Sequence, residues 1–300
     1  MPETKLPAVD APHAQLSDMT ARTERELRQH NARHRIIERR RIVQKLRQAL
    51  ATDELALHFQ PIVALGNGFI QGAEAMLRLN HSRRGLIPAG HFLPLAEQSD
   101  VIIDVGGWML RAACEEVTRL PAHFTISLAL SLRHLQSGQL VRHLLEALNG
   151  AGIAPERLEL LITEAMLLDD NEDTIFALKA VQGLGVRLAL NNFGTGYASL
   201  APLKRLPFST LRLDKSLAQN LGEDAAVTAI AHAAVEAGHA LGCAVLADGV
   251  ETATQYELLR QVHADKGQGA FFGAAAPGTA LAGDSSSIKQ RDNSSLQLET

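Results

Sequence analysis

Residues 173–196 read DTIFALKAVQGLGVRLALNNFGTG, and the fold follows from how this stretch divides. DTIFALKAVQGLG carries its apolar residues at helical spacing and ends in glycine, a frequent helix stop. VRLAL is a short apolar run of strand length. Two neutral amides, Asn191 and Asn192, close it, and a tight glycine loop follows. The unit is helix, strand, polar strand end, loop.

That unit recurs on both sides. The apolar runs LALHFQPIVAL, FIQGAEAMLRL, FTISLALSL, LELLIT, TLRLD, AVLADGV and GQGAFFG repeat the strand signal. GGWMLRAACEEVTRL and LVRHLLEALNGAG repeat the helix. Eight strands alternating with helices from Ala56 to about Gly273 predict an α/β chain folded as a (β/α)8 barrel. Pattern alone leaves an open doubly wound sheet as the alternative. No GxGxxG follows the first strand, which speaks against a dinucleotide site. In a barrel, function sits where strands end. Those ends are Glu74, Ala129, Leu161, Asn191, Asn192, Arg212, Asp214, Asp248 and Gln268, a strangely uncharged set for one mouth.

Bulk properties agree. Three hundred residues suit a single barrel, and 46% hydrophobic content supports a large core. Aromatics at 4% leave that core to Leu, Ala, Val and Ile. A net charge of -4 gives no nucleic-acid footprint. Cys114 and Cys243 form neither a metal spacing nor a disulfide framework, so a reducing cytoplasm is expected. No apolar run reaches membrane-span length and the N-terminus lacks a secretory core, so membrane insertion is not expected. Residues 1–20 read as disordered, 21–50 as a basic helix or linker, 51–278 as the barrel and 279–300 as a disordered tail. Between Arg22 and Arg47, ten Arg or Lys face three Glu. Ile36, Val43, Leu46 and Leu50 share one helix face. Such a helix reads as a solvated cap, a dimerising or signalling helix, or a contact for an anionic membrane surface.

Several motifs carry a resemblance. GAEAMLRL has Glu-Ala-Met followed two residues later by Arg78. HFQPIVAL, HSRRGLIPAGHFLPLAEQSDVIIDVGGWMLRAAC, NNFGTGYASL, LPFSTLRLDKSL, LADGVET and KGQGAFFGAAAP follow in order. From about Leu46 to Pro277 the chain resembles the EAL domain, the bacterial phosphodiesterase family that linearises cyclic di-GMP. The resemblance implies two-metal hydrolysis with Mg2+ or Mn2+ on carboxylates. Position by position, it also implies that the metal site is broken. Glu74 keeps the name motif's Glu. Ala129 stands where the family has Asn, Leu161 where it has Glu, and Asn191 and Asn192 where it has paired Asp. Arg212 replaces Lys, Asp248 shortens a Glu, and Gln268 is kept. No catalytic residue and no metal cofactor are therefore expected here, with Glu74 and Asp248 as residual ligands.

The remaining matches imply a nucleotide groove lined or supported by Gln60, Pro61, Arg78, Arg212, Asp214, Glu251, Gln268 and Pro277. The same resemblance implies that Glu164 anchors the loop of Gly194, Thr195 and Gly196. Each also has a structural reading: Arg78 as a core-edge ion pair, Gln60 as a backbone brace, Asp248 and Glu251 as loop braces, Glu74 as an arginine partner. Phe271 and Phe272 are candidates for base stacking or for core. The expected function is an inactive EAL-type receptor for cyclic di-GMP acting on a protein partner, with a homodimer allowed. The alternatives are an interaction module without nucleotide and a residual phosphodiesterase.

Overall fold

The computed structural model describes residues 35–168, 172–194 and 206–283. Expectations for residues 1–34, Thr195, Gly196 and 284–300 lie outside the described residues. Among the described residues nine strands form one sheet: β1 Leu55–Ala64, β2 Ile70–His81, β3 Gly85–Pro88, β4 Thr125–Ala129, β5 Leu158–Thr163, β6 Arg187–Phe193, β7 Thr210–Leu213, β8 Ala244–Ala247 and β9 Lys266–Gly267. Their spatial order is β1-β9-β8-β7-β6-β5-β4-β2-β3, and β1 also pairs with β2. That pairing closes an eight-stranded barrel, with β3 left outside as a hairpin on β2.

β2 and β4 through β9 run parallel, but β1 is antiparallel to both of its neighbours. Strict strand–helix alternation therefore fails at the first step. The connection after Ala64 is a tight turn, in which Gly68 N–H donates to the Ala64 carbonyl at 2.8 Å. A parallel crossover needs a dozen or more residues, so this link permits only a hairpin. GQGAFFG is likewise mostly turn: Lys266–Gly267 is all that stays as strand. At Gly269 a Cβ would lie 2.2 Å from the Val250 carbonyl oxygen, so the backbone passes there only as glycine.

The strand pleat sorts side chains between two cores. Leu158, Leu160 and Ile162 of β5 join Leu211 and Leu213 of β7 in the main apolar cluster under the helices. Glu159 turns the other way. Its carboxylate accepts from Ser127 Oγ at 2.8 Å, Thr210 Oγ1 at 2.7 Å and Ser209 Oγ at 3.1 Å. β6 separates β5 from β7 in the sheet, so the bonds from Ser209 and Thr210 cross the barrel interior, while Ser127 reaches from the neighbouring β4.

Two expected boundaries change. The helix over 35–51 is not a separate linker at its C-terminal end. Leu46 and Ala49 are fully buried against Leu55, Leu77, Leu79 and Phe92, because the apolar face covers the outside of β1 and β2. The segment after Pro277 does not begin as a disordered tail. Residues Thr279–Gly283 form a short helix, held by burial of Leu281.

The helix Ala253–Gln261 starts with a full capping box, in which the Thr252 side chain accepts from Gln255 N–H and Gln255 returns the bond. Thr252→Ala should lower stability by about 1 kcal/mol, read as a shift in urea midpoint at constant slope.

Candidate functional site

The C-terminal ends of the parallel strands open into one mouth, and its centre is an arginine. Arg212 on β7 is 1% exposed. Its Nη2 donates to Glu74 Oε2 at 2.6 Å and to Gln268 Oε1 at 2.8 Å. Asp248 Oδ2 lies 3.9 Å away. Burial works against the guanidinium charge, but Glu74 and Asp248 outweigh it and hold the group above its ordinary range. Nε and Nη1 find no acceptor among the described residues. Arg212 was expected to touch ligand, and its burial corrects that: it lies beneath the groove as a fixed internal cation.

Gln268 completes the network. It is fully buried, and its Nε2 donates to Glu74 Oε2 at 3.0 Å and to Gln60 Oε1 at 3.1 Å. Gln60 Nε2 in turn holds the Gly273 carbonyl at 3.2 Å. Pro61 is buried beside the same glycine. Asp248 accepts from Gly249 N–H at 2.7 Å, and burial lifts its carboxyl above the usual range despite Arg212.

The other mouth positions lack charge. Ala129 is exposed at the end of β4, and Leu161 is 1% exposed on β5. Asn191 is half-buried. Asn192 is exposed with φ 59, in the left-handed region that asparagine tolerates, where β6 slips register between Leu190 and Phe193. Among the described residues no group of three or more His, Cys, Asp or Glu is arranged to hold a metal ion.

Several expected ligand contacts have structural partners. Asp214 caps the helix Lys215–Gln219, accepting from Ser216 N–H at 2.9 Å and Ser216 Oγ at 2.7 Å. Glu251 accepts from Gln219 Nε2 at 2.8 Å. Pro277 is exposed just past the Phe59–Ala276 bridge. Phe272 is 2% exposed and packs edge-on to Phe271, which stacks on Tyr256, so Phe272 is core and offers no face to a base. Glu164 keeps a buried Oε1 without a donor among the described residues, and burial raises its pKa.

Arg78 differs from these. It donates only to the Leu77 carbonyl at 3.1 Å and touches Met76 Sδ, and it enters no ion pair among the described residues. It lines a cavity of about 430 Å3 that borders the mouth at Glu74 and Ala129 and lies between β2, β4 and the helix Val101–Val117. Glu74 and Ala129 also line it, and its walls are mostly apolar, with six Leu and two Met among them. Glu97 and Ser131 supply its polar side, joined by a 2.7 Å bond from Ser131 Oγ to Glu97 Oε2. Burial raises the Glu97 carboxyl. His134, also in the lining, meets His143 at 2.9 Å, and burial pushes His134 down to about 4. Sequence reading missed Glu97, Ser131 and His134. The available signal was Ser131 as the helix cap directly after β4.

Comparison with known proteins places this geometry. A family model described as "EAL domain" matches residues 43–275. An "Uncharacterized signaling protein" of Caulobacter vibrioides is 38% identical over 82% of this chain and 30% of its own length. The "Bifunctional diguanylate cyclase/cyclic di-GMP phosphodiesterase MucR" of Pseudomonas aeruginosa is 36% identical over 81% of this chain and 36% of its own. The chain thus spans about a third of the curated relatives it matches. The solved structure "PaMucR Phosphodiesterase, c-di-GMP complex" superposes with a TM-score of 0.76 at 36% identity, covering 80% of this chain and 99% of that one. No helix of the described residues is long and apolar enough to cross a membrane. With a closed barrel and a family match over most of its length, this chain belongs to the EAL domain family.

Proposed function

We propose that this EAL domain is a catalytically inactive receptor, which binds cyclic di-GMP without metal and passes occupancy to a protein partner. The observation that carries the reading is the Arg212 guanidinium, 2.6 Å from Glu74 and 3.9 Å from Asp248. The two residual carboxylates already share a cation. Mg2+ or Mn2+ needs several hard oxygen ligands, and Ala129 and Leu161 offer none at their positions. The donor set therefore does not fit a metal pair, and no hydrolytic step is derived through one.

The same features suit an anion. A mouth with an internal guanidinium and fewer carboxylates attracts a dianionic nucleotide without bridging ions. Arg78, in no ion pair among the described residues, lines the adjoining cavity and supplies donors for a phosphate. The adjoining cavity of about 430 Å3 favours a receptor over an interaction module, for which a groove closed by side chains was expected.

Titration calorimetry with cyclic di-GMP, once with Mg2+ and once with EDTA, tests this. Equal, saturable heats are expected. Heat only with Mg2+ would overturn the metal-free site. No heat in either would leave the interaction module.

A further inference from the structure

We propose that the groove between the entering helix and the turn before the helix Val101–Val117 is a membrane-contact site, which takes the phosphates of anionic lipid headgroups. Arg39, Arg40, Val43, Gln44 and Arg47 line it from the helix over 35–51, and Gln98 and Ser99 line it from the turn. It measures about 310 Å3. Positions 39, 43 and 47 follow one another at four-residue steps, and 40 and 44 run beside them. Two helical turns therefore present the three arginines to one side.

These arginines are uncommitted. None of the three enters an ion pair among the described residues. The acids of the adjoining segments are taken: Glu54 holds Lys45 at 2.6 Å, and Asp100 holds Arg133 at 2.8 Å. Within 35–51, Glu38 is the one acid against Arg35, Arg39, Arg40, Arg41, Lys45 and Arg47. Three guanidinium groups along one concave surface repel one another until an anion sits among them, and a phosphate accepts their forked donors.

The outer end of the same helix selects a lipid surface over a dissolved anion. Ile36 is 46% exposed and Ile37 57% exposed. Ile36 precedes Arg39 and Arg40 by three and four positions, so it stands one turn beyond the groove on the same face. Further along, the helix buries Leu46 and Ala49 against the barrel. The apolar face thus continues past the part that the barrel covers. A dissolved phosphate makes no use of that end. A bilayer interface takes both features at once, alkyl side chains at the headgroup boundary and guanidinium groups on the phosphates. The net charge of -4 does not forbid the contact, because at physiological salt charges act over only about 8 Å and the local excess governs. The groove shares no residue with the cavity beside the mouth, so the proposal does not rest on the receptor reading.

Vesicle flotation of the full chain, with no nucleotide present, tests the assignment. Binding is expected to vesicles that contain phosphatidylglycerol and not to phosphatidylcholine alone, and it should weaken as salt rises. Arg39→Gln with Arg40→Gln and Arg47→Gln should weaken it roughly 100-fold. Arg119→Gln with Lys179→Gln and Arg260→Gln removes the same charge from exposed positions on other elements and should change it by less than about 3-fold. Ile36→Ser with Ile37→Ser, which leaves every arginine in place, should weaken it about 10-fold. Full affinity in the groove variant, or equal losses in the two triple variants, overturns the site. Binding to neither vesicle by the wild type overturns it as well. Heat from inorganic pyrophosphate in calorimetry, without flotation, would give the groove to a soluble anion and overturn the lipid assignment.

Discussion

Arg212→Met lowers the unfolding free energy by roughly 3 kcal/mol, at the lower end of what breaking a buried ion pair costs. The methionine fills much of the same volume, so packing is a minor part of the loss. What remains is Glu74, its side chain 16% exposed, facing Asp248 without the guanidinium between them. Two carboxylates then repel in a partly dehydrated mouth, and Gln268 Oε1 loses its donor. The loss should shrink on the Glu74→Gln background, since that variant removes the stranded charge. A double-mutant cycle by urea unfolding reads the coupling directly. A loss below about 1 kcal/mol with no coupling to Glu74 would mean that solvent already screens the pair, as at an exposed site.

Asn191→Asp with Asn192→Asp leaves cyclic di-GMP uncleaved, at the uncatalysed background. Enzymes usually exceed that background by at least about 10^6-fold, so the contrast with an active relative is large. The double change restores two carboxylates, but Ala129 and Leu161 still lack a ligand atom. Arg212 also remains, and a dication about 4 Å from a unit positive charge meets a repulsion of ~8 kcal/mol at an effective dielectric of 20. Unlike lysine, arginine cannot relieve this by losing its proton. Product analysis by chromatography, with Mg2+ and with Mn2+, checks the result. Metal-dependent formation of the linear dinucleotide would refute this account of the mouth.

Both outcomes depend on residues that sequence reading had named but could not connect. Glu74 and Arg212 were each legible from their motifs, yet nothing local says that they touch. They are separated by 138 positions and meet because β2 and β7 face each other across a closed barrel. Asp214 shows the opposite case. Its cap on Ser216 is a two-residue, local interaction, and a strand ending in Asp-Lys-Ser already carried that signal. Phe271 and Phe272 were ambiguous for a third reason. Aromatic residues suit both a stacking platform and a core, and their burial against Tyr256 is a matter of neighbours.

The amino-acid sequence by itself determined the alternation of strands and helices, the apolar side chains at positions 129 and 161, and the basic character of the entering helix. Those features are written in residue type and in periods of two and 3.6, which need no knowledge of distant contacts. Tertiary structure alone decided that β1 runs backwards, that Leu46 belongs to the core, and that Arg212 sits as the internal cation of the mouth. It alone opened the cavity that joins Glu97 to Arg78. Such features arise where strands far apart in the chain converge, and there the pairing of charges is set by distance and burial rather than by order along the sequence.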